Sequence, residues 1–495
     1  MKNNVSRRNI LQGLITSTVV IGFDTVCRSW VNKANAAELF VNLPRLDGVL
    51  YTDDATREEA SDDFGHLVRH YPLAVLKPGS VDDIVKIIKF ARIYNIKVAA
   101  RGQGHTCYGQ AQVEKGVVID ISTLNKIHNI NTLGAVVEAG VRWSELLQAT
   151  LPQQLTPPVL TDYLELSIGG TLSNGGIGGA AHRYGVQVDN VLELQVVTGE
   201  GDLVNCSQYQ NRDLFEAVLA GLGQCGIIVR ATIRLIKAER NARVFLLDYD
   251  DLASFIRDQR LLIDSERFNY VEGQIVSAPN GGWRYLLEAA SFYTPPSEPD
   301  NTSLLASLSY TKGAEKIEDK SYFDFLNRLA PTVAFLKSIN VWSNPHPWIN
   351  LFIPATVVEQ YISEVVSTLT LADTGNSPVL LYPVKTNRFT LPLFRVPNEQ
   401  VVFLFTILRT APLNDNATNV RMLDDNRKLF ERNRDLNGTR YPVDAIAFQE
   451  EDWRQHFGRS WSKLVNAKRR YDPARILTPG QGIFTSFKNH NKAPW

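Results

Sequence analysis

The sequence predicts an α+β protein of two domains, the second inserted into the first. Three observations carry that reading. The chain has 495 residues, more than a single hydrophobic core organises, so two domains or more are expected. Two glycine-dense stretches, 98–110 and 161–185, fall early in the chain among strand and helix patterns. From about residue 240 to 440 glycine thins out, and aromatic-rich strands alternate with helical segments before turn residues resume. The expected division is residues 37–240 with 441–495 for the first domain and 241–440 for the second.

The hydrophobic fraction of 44% and charged fraction of 21% are those of an ordinary globular chain. Lys+Arg and Asp+Glu both number 52, so no net field points to a nucleic acid or an anionic membrane as partner. Ser6-Arg7-Arg8-Asn9-Ile10-Leu11 is a twin-arginine pattern. An apolar stretch follows over 13–23, and Ala34-Asn35-Ala36 fits a small-residue cleavage site. Eleven residues are too few to span a bilayer. Residues 1–36 therefore read as an export signal rather than an integral membrane segment, with a periplasmic or extracellular destination. They hold five basic and one acidic residue, so their removal leaves the chain slightly acidic. Cys107, Cys206 and Cys225 remain, an odd number without a C-x-x-C pair. This is neither a disulfide framework nor a zinc module; no metal site is expected and the thiols read as buried or free.

In chain order, 37–70 reads as a polar arm. Residues 72–77 read as a strand, and Ser80 as the N-cap of a helix over 81–95, with Ile84, Ile87, Ile88 and Ala91 at helical spacing. A strand over 96–100 runs into the first glycine loop. Strands follow at 117–121 and 135–141, then a helix at 143–150. Strands at 191–198 and 202–206 flank the turn Gly199-Glu200-Gly201. Residues 213–222 read as helical and 227–235 as an alternating strand. Gly221-Leu222-Gly223-Gln224-Cys225-Gly226 matches G-x-G-x-x-G formally but has the helix before it and the strand after it. That is the reverse of what a dinucleotide fingerprint needs, so the match is rejected. In the second domain, 268–277, 283–292, 357–371 and 401–410 are the expected strands and helical segments. Residues 344–352, Asn-Pro-His-Pro-Trp-Ile-Asn-Leu-Phe, read equally as a pocket wall for a flat polar ligand or as a turn entering a core strand. A basic helix over 461–470 and a turn-rich stretch over 471–484 end the fold.

The loop Arg101-Gly102-Gln103-Gly104-His105-Thr106 ends a strand and is followed by Gly109 and Gln110. Glycines this dense allow positive φ and close backbone approach, and successive N–H groups can form an anion-binding nest. A histidine within it sits where a ligand would be; the alternative is a tight turn with a surface histidine. In 161–185, Ser167, Thr171, Ser173 and Asn174 lie between the pairs Gly169-Gly170, Gly175-Gly176 and Gly178-Gly179. Leu and Ile punctuate the run, which favours a buried extended cofactor over a mobile linker. By itself Asp162 reads as a carboxylate capping backbone N–H groups near that run.

Several stretches, in order, carry a resemblance: Arg-Gly-Gln-Gly-His-Thr over 101–106, Thr-Asp-Tyr-Leu-Glu-Leu-Ser-Ile-Gly-Gly-Thr-Leu-Ser-Asn over 161–174, Asn-Val-Leu-Glu-Leu-Gln-Val-Val-Thr-Gly over 190–199, and Gly-Leu-Gly-Gln-Cys-Gly-Ile-Ile over 221–228. Asp324-Phe325-Leu326, residues 348–354 and Pro479-Gly480-Gln481 complete it. From about Tyr71 to Phe484 the chain resembles FAD-linked oxidoreductases of the vanillyl-alcohol-oxidase/p-cresol-methylhydroxylase type and, more closely, the cytokinin dehydrogenase (cytokinin oxidase) family. The resemblance implies a two-domain FAD-binding fold with an α+β substrate domain inserted in the chain. It implies FAD bound covalently through His105. Ala100, Gly102, Gln103, Gly104, Thr106, Gln110, Ser167, Ser173, Ile177 and Ile228 would hold the cofactor, and Tyr441, Thr478 and Gln481 would close over its ring. Asp162, beside the cofactor, would be the catalytic base and bind substrate together with Trp348 and Asn350; Glu272 is the candidate for a second acidic pocket residue. Thr106 and Thr478 stand where the family more often has Ser, keeping the hydroxyl. Residues 161–185 contain no Cys, so a single covalent flavin bond is expected. The implied reaction oxidises an N6-isoprenoid adenine at its side-chain amine to an imine, which hydrolyses to adenine and an unsaturated aldehyde. The electron acceptor would be oxygen or a quinone. The alternatives are a related covalent-flavin oxidase acting on a sugar, alditol or hydroxy acid, and a ligand-binding protein that has kept the fold without catalysis.

Overall fold

A computed structural model describes residues 20–24, 29–32, 40–278 and 281–485. Strands Val20–Asp24 and Ser29–Asn32 pair with each other and with no other strand among the described residues. The twin-arginine pattern and Ala34-Asn35-Ala36 lie outside the described residues.

The first glycine loop hangs from a four-stranded sheet in the order Val49–Tyr51, Ala74–Lys77, Val117–Asp120, Val98–Arg101, with the last three parallel. Parallel neighbours need a crossover. The helix Val81–Ile93 supplies the one from Ala74–Lys77 to Val98–Arg101, the two strands flanking Val117–Asp120, and buries Ile84, Ile87, Ile88 and Ala91 completely. Ser80 occupies the N-cap position, but its hydroxyl makes no capping bond and donates to Asp47 at 2.7 Å. Asp83 takes over the local N–H groups, accepting from Asp47, Gly48 and Gly79. The segment expected to be an arm thus contributes a strand to the sheet, and a helix, Asp54–Ala60. Beside this sheet stands an antiparallel one in the order Leu203–Ser207, Val191–Thr198, Gly226–Arg234, Gly134–Glu138, Ile127–Ile130. Helix Arg212–Val218 precedes the G-x-G-x-x-G match and strand Gly226–Arg234 follows it, as the rejection required.

Two short helices, Ile168–Asn174 and Ala181–Tyr184, lie within 161–185. Close packing explains the first: a Cβ on Gly169 would stand 2.8 Å from that of Ala139. Ser173 Oγ and the Asn174 amide donate back to the carbonyls of Gly169 and Gly170, closing the turn.

Residues 241–440 build an eight-stranded sheet ordered Lys316–Ser321, Asn241–Tyr249, Trp283–Tyr293, Tyr270–Ser277, Val379–Lys385, Val401–Ile407, Ile349–Pro354, Thr439–Arg440. Side chains alternate between its faces. Phe245, Leu247, Val271, Ile275, Leu287, Leu351, Leu381 and Phe405 pack with helices Leu252–Ser265 and Val358–Thr368. Val244, Leu246, Glu272, Gln274, Glu288, Asn350, Tyr382 and Thr406 face the opposite way, into a cavity. Helix Asn416–Asp435 was not legible, because only Met422, Asn426, Phe430 and Asn433 are buried along its polar length.

After helix Trp461–Tyr471 the chain turns back toward the glycine loop. Asp472 fixes the turn by accepting from Ile476 N, Leu477 N and Lys468 Nζ at 3.0, 2.9 and 2.7 Å, all buried. Thr478 N then donates to Val98 O at 2.8 Å. Asp472→Ala leaves the Lys468 ammonium buried without its carboxylate. It is expected to cost about 3–5 kcal/mol, read as a lowered denaturant midpoint, whereas Asp213→Ala, which removes an exposed pair with Arg470, is expected to cost less than about 1 kcal/mol.

Candidate active site

One cavity of about 570 Å³ receives residues from every part of the chain. Its floor is the glycine loop, with Ala100, Gly102, Gln103, Gly104, His105, Thr106 and Gln110. Ser167, Ser173 and Ile177 come from the second glycine region, and Ile228 from the strand after it. Glu272 and Asn350 come from the eight-stranded sheet, Trp348 stands just before strand Ile349–Pro354 and beside the His105 ring, and the segments after the sheet add Tyr441, Thr478 and Gln481. All the residues assigned from the sequence to cofactor or substrate, Asp162 included, line this one space.

Asp63 holds the loop in shape: it accepts from Thr106 Oγ1 at 2.8 Å and Gly109 N at 2.7 Å. Burial pushes its carboxyl up to about 6 despite those bonds. Gly102 and Gly104 are needed for different reasons. A Cβ on Gly102 would stand 2.0 Å from Ser167 Oγ, while Gly104 has φ +65° and leaves no room beside the Arg101 guanidinium. Gln110 is spent on architecture: its amide bonds Tyr108 N and Asp444 O, tying the loop to the segment after Tyr441. Thr478 Oγ1 donates to Gly223 O at 2.8 Å, and the Gln224 amide donates to Thr478 O at 3.0 Å, so the rejected glycine motif anchors the C-terminal return. Tyr441 Oη accepts from Gly176 N at 3.0 Å. Asn350 Oδ1 accepts from Thr406 Oγ1, its direct cross-strand partner, at 2.7 Å.

His105 is no surface residue. Its ring lies 4.0 Å from Phe64, 5.1 Å from Tyr163 and 5.5 Å from Trp348, centroid to centroid. Among the described residues its imidazole makes no hydrogen bond, and burial pushes it down to about 3, so the ring is neutral at physiological pH.

Asp162 is no backbone cap. Its Oδ1 accepts from Tyr270 Oη at 2.5 Å and Arg328 Nη2 at 2.9 Å. The same guanidinium reaches Glu272 at 2.8 Å and Glu288 at 2.9 Å. Glu272 and Glu288 stand directly opposite in the strand pairing, where two like charges repel. Burial, with the charge of Asp162 next, drives the Glu272 carboxyl well above the usual carboxylate range, and burial also raises that of Glu288. Sequence reasoning missed Tyr270, Glu288 and Arg328. Tyr270, Glu272 and Gln274 were detectable as a polar stripe at period two on a buried strand; Arg328 left no local signal.

Three buried polar atoms of the lining, Trp348 Nε1, Gln481 Oε1 and Glu272 Oε1, find no hydrogen-bond partner among the described residues. Such atoms cost about 1–3 kcal/mol each when unmet, so the lining suits a polar ligand with donors and acceptors at several points. The glycine cradle, neutral imidazole and C-terminal closure fit a flavin dinucleotide.

Residues 276–484 match a family model described as cytokinin dehydrogenase 1, FAD and cytokinin binding, and residues 72–207 match a model of the FAD binding domain. An uncharacterised oxidoreductase, ORF5 in the fasciation locus of Rhodococcoides fascians, is 43% identical over 436 residues, covering 88% of this chain and 99% of that protein. Cytokinin dehydrogenase 3 of Arabidopsis thaliana is 37% identical over 476 residues, covering 88% of this chain and 90% of that protein. Cytokinin dehydrogenase 6 of Oryza sativa subsp. japonica is 36% identical over 484 residues, covering 88% and 92%. The chain belongs to the cytokinin dehydrogenase family. It is an FAD-dependent oxidoreductase of the vanillyl-alcohol-oxidase fold with a second, substrate-binding domain. Among the described residues no helix is long and apolar enough to cross a membrane.

A side chain at position 102 must displace Ser167 or the loop itself. Gly102→Ala is therefore expected to fold with reduced flavin content, read as a lower ratio of visible to ultraviolet absorbance; a wild-type ratio would show that the cradle tolerates the methyl.

Proposed function

We propose that this protein oxidises N6-isoprenoid adenines at the side-chain amine, using FAD held covalently through His105. The observation that carries the reading is the placement of His105 and Asp162 on one cavity with Trp348, Asn350 and Glu272. The relatives named cytokinin dehydrogenase support the substrate class.

The glycine loop and Ser167, Ser173, Ile177 and Ile228 would hold the dinucleotide, with Tyr441, Thr478 and Gln481 closing over its ring. A neutral imidazole has a nitrogen lone pair free to bond to carbon, and burial keeps His105 in that form. Attachment to the flavin 8α-methyl is the proposed use of it. When bound, the flavin supplies the hydride acceptor. Asp162 takes the amine N–H proton as the C–H bond is oxidised, the part of the reaction a protein carboxylate can perform. Trp348 and Asn350 line the place of the flat purine. Hydrolysis of the imine then gives adenine and an unsaturated aldehyde, and oxygen or a quinone reoxidises the enzyme. The twin-arginine pattern and the small residues at 34–36 support export to the periplasm or beyond.

The purified protein is expected to be yellow, to keep its flavin after acid precipitation, and to bleach when isopentenyladenine is added without oxygen. His105→Ala is expected to release flavin in acid. Asp162→Asn is expected to slow bleaching by about 10²–10⁴-fold, the usual weight of a positioned base. An oxidised spectrum unchanged by the adenine, with reduction by a polyol or hydroxy acid instead, would reassign the substrate.

A further inference from the structure

We propose that a second cavity, on the outer side of the glycine loop, is the site where a neutral para-quinone collects the electrons taken from the substrate. The cavity holds about 630 Å³, a size that suits a small-molecule ligand. Arg101, Gln103, Gly104, His105 and Tyr163 line both this space and the main cavity. The glycine loop is therefore a partition between the two, and the His105 ring stands in it. Trp342 lies on the second side alone. Its ring is stacked on His105 at 6.0 Å, with the planes 20° apart, and lies 4.9 Å from Phe64 and 5.6 Å from Tyr163. One imidazole thus joins a group bonded to His105 in the main cavity to a ligand lying against Trp342. The path for electrons between the two spaces is short.

The lining fits a flat ring that carries two carbonyl oxygens. Such a ligand needs an aromatic face and hydrogen-bond donors, and it brings no charge to neutralise. Trp342 is half-buried and supplies the face. Among the described residues no hydrogen bond or ion pair engages the side chains of Gln103, Tyr163 or Lys337. An amide, a phenol and an ammonium are therefore free to donate. Lys337 Nζ is held 5.4 Å over the Trp342 ring, so the charged donor and the aromatic face come together. The charges of the lining nearly cancel. Five Asp or Glu carboxyls and four Lys or Arg side chains line the space, with His66. Most are spent on one another or on the loop: Arg69 pairs with Glu58 and Asp62, His66 with Asp62, and Arg142 with Glu165, while Asp63 shapes the glycine loop. Glu59 and Lys337 are left, one of each sign, without an ion pair among the described residues. No excess positive charge selects an anion over a neutral ring.

The consequence for catalysis rests on the proposed function, with flavin attached at His105. The quinone gains two electrons and two protons and leaves as the hydroquinone. The electrons are those lost from the substrate C–H bond. The protons match the two hydrogens that the amine gives up, so amine and quinone become imine and hydroquinone. Gln103 and Lys337 are exposed, which opens the cavity to water for proton exchange. With separate cavities the acceptor need not wait for the oxidised product to leave Trp348 and Asn350.

The test uses flavin-loaded full-length protein, two variants and tetramethyl-para-benzoquinone, whose ring has no open position for a thiol or amine to add. Equilibrium dialysis against the oxidised protein is expected to show a quinone site that saturating isopentenyladenine does not displace. Trp342→Leu is expected to weaken that site about tenfold and Lys337→Gln about fivefold. Lys337 is exposed on helix Ala330–Ser338, which buries none of its residues, so its replacement leaves the fold intact. In rapid mixing without oxygen, Lys337→Gln is expected to be reduced by the adenine at the wild-type rate. Its reoxidation by subsaturating quinone should then be about fivefold slower than wild type. Quinone displaced by the adenine, quinone bound equally by wild type and both variants, or no bound quinone at all overturns the inference. Wild type that the adenine fails to reduce overturns the proposed substrate instead, and dialysis of the two variants then decides the quinone site alone.

Discussion

The guanidinium of Arg328 is the contact on which the substrate side of this protein depends. Its side chain is 12% exposed and touches Asp162, Glu272 and Glu288. Remove it, and three carboxyls converge in a cavity with no cation paired to them among the described residues. Asp162 precedes the second glycine region, the two glutamates sit on adjacent strands of the eight-stranded sheet, and Arg328 follows a short helix on the far side of that sheet's edge strand. One side chain thus joins three parts of the chain that meet only in the folded state. Its own burial is tolerable because Tyr270 and Phe325 lay ring faces near it, at 4.8 and 5.0 Å.

The opposite side of the cavity is organised by backbone. Asp63 shapes the glycine loop, Gln110 ties it to the segment after Tyr441, and Asp472 turns the C-terminus back so that Thr478 and Gln481 meet it. The Asp472 turn is local, but the Asp63 and Gln110 ties join residues 46 and 334 positions apart in sequence. The loop's chemistry follows from them: His105 is neutral because Phe64, Tyr163 and Trp348, from three separate segments, surround its ring. A rigid, glycine-lined floor faces a wall of alternating sheet side chains, and the space between takes a large flat molecule with polar points of attachment.

Much of this was legible in the sequence where a local signal exists. Helix Trp143–Thr150 and strand Val191–Thr198 follow from periodicity alone, and their bounds match. The misreading of Gly221 to Gly226 as a dinucleotide fingerprint was avoidable because the order of helix and strand is itself a physical requirement. The helix at Ile168–Asn174 was hidden, since glycine-rich sequence disfavours helix locally and only contact with Ala139 and back-bonding of Ser173 and Asn174 select it. Helix Asn416–Asp435 was hidden by its polarity. At the site, motifs revealed the residues that touch backbone-defined features, such as His105 and Asp162. Arg328 and Tyr270 stayed invisible because their importance lies in what they pair with across the fold.

The most direct measurement is the structure of the flavin-loaded protein crystallised with isopentenyladenine in the absence of oxygen. The expected result is a bond from an imidazole nitrogen of His105 to the isoalloxazine, with the side-chain amine of the adenine within hydrogen-bond distance of Asp162 and its purine against Trp348 and Asn350. A flavin unattached to His105, or an adenine whose amine points away from Asp162, would contradict it.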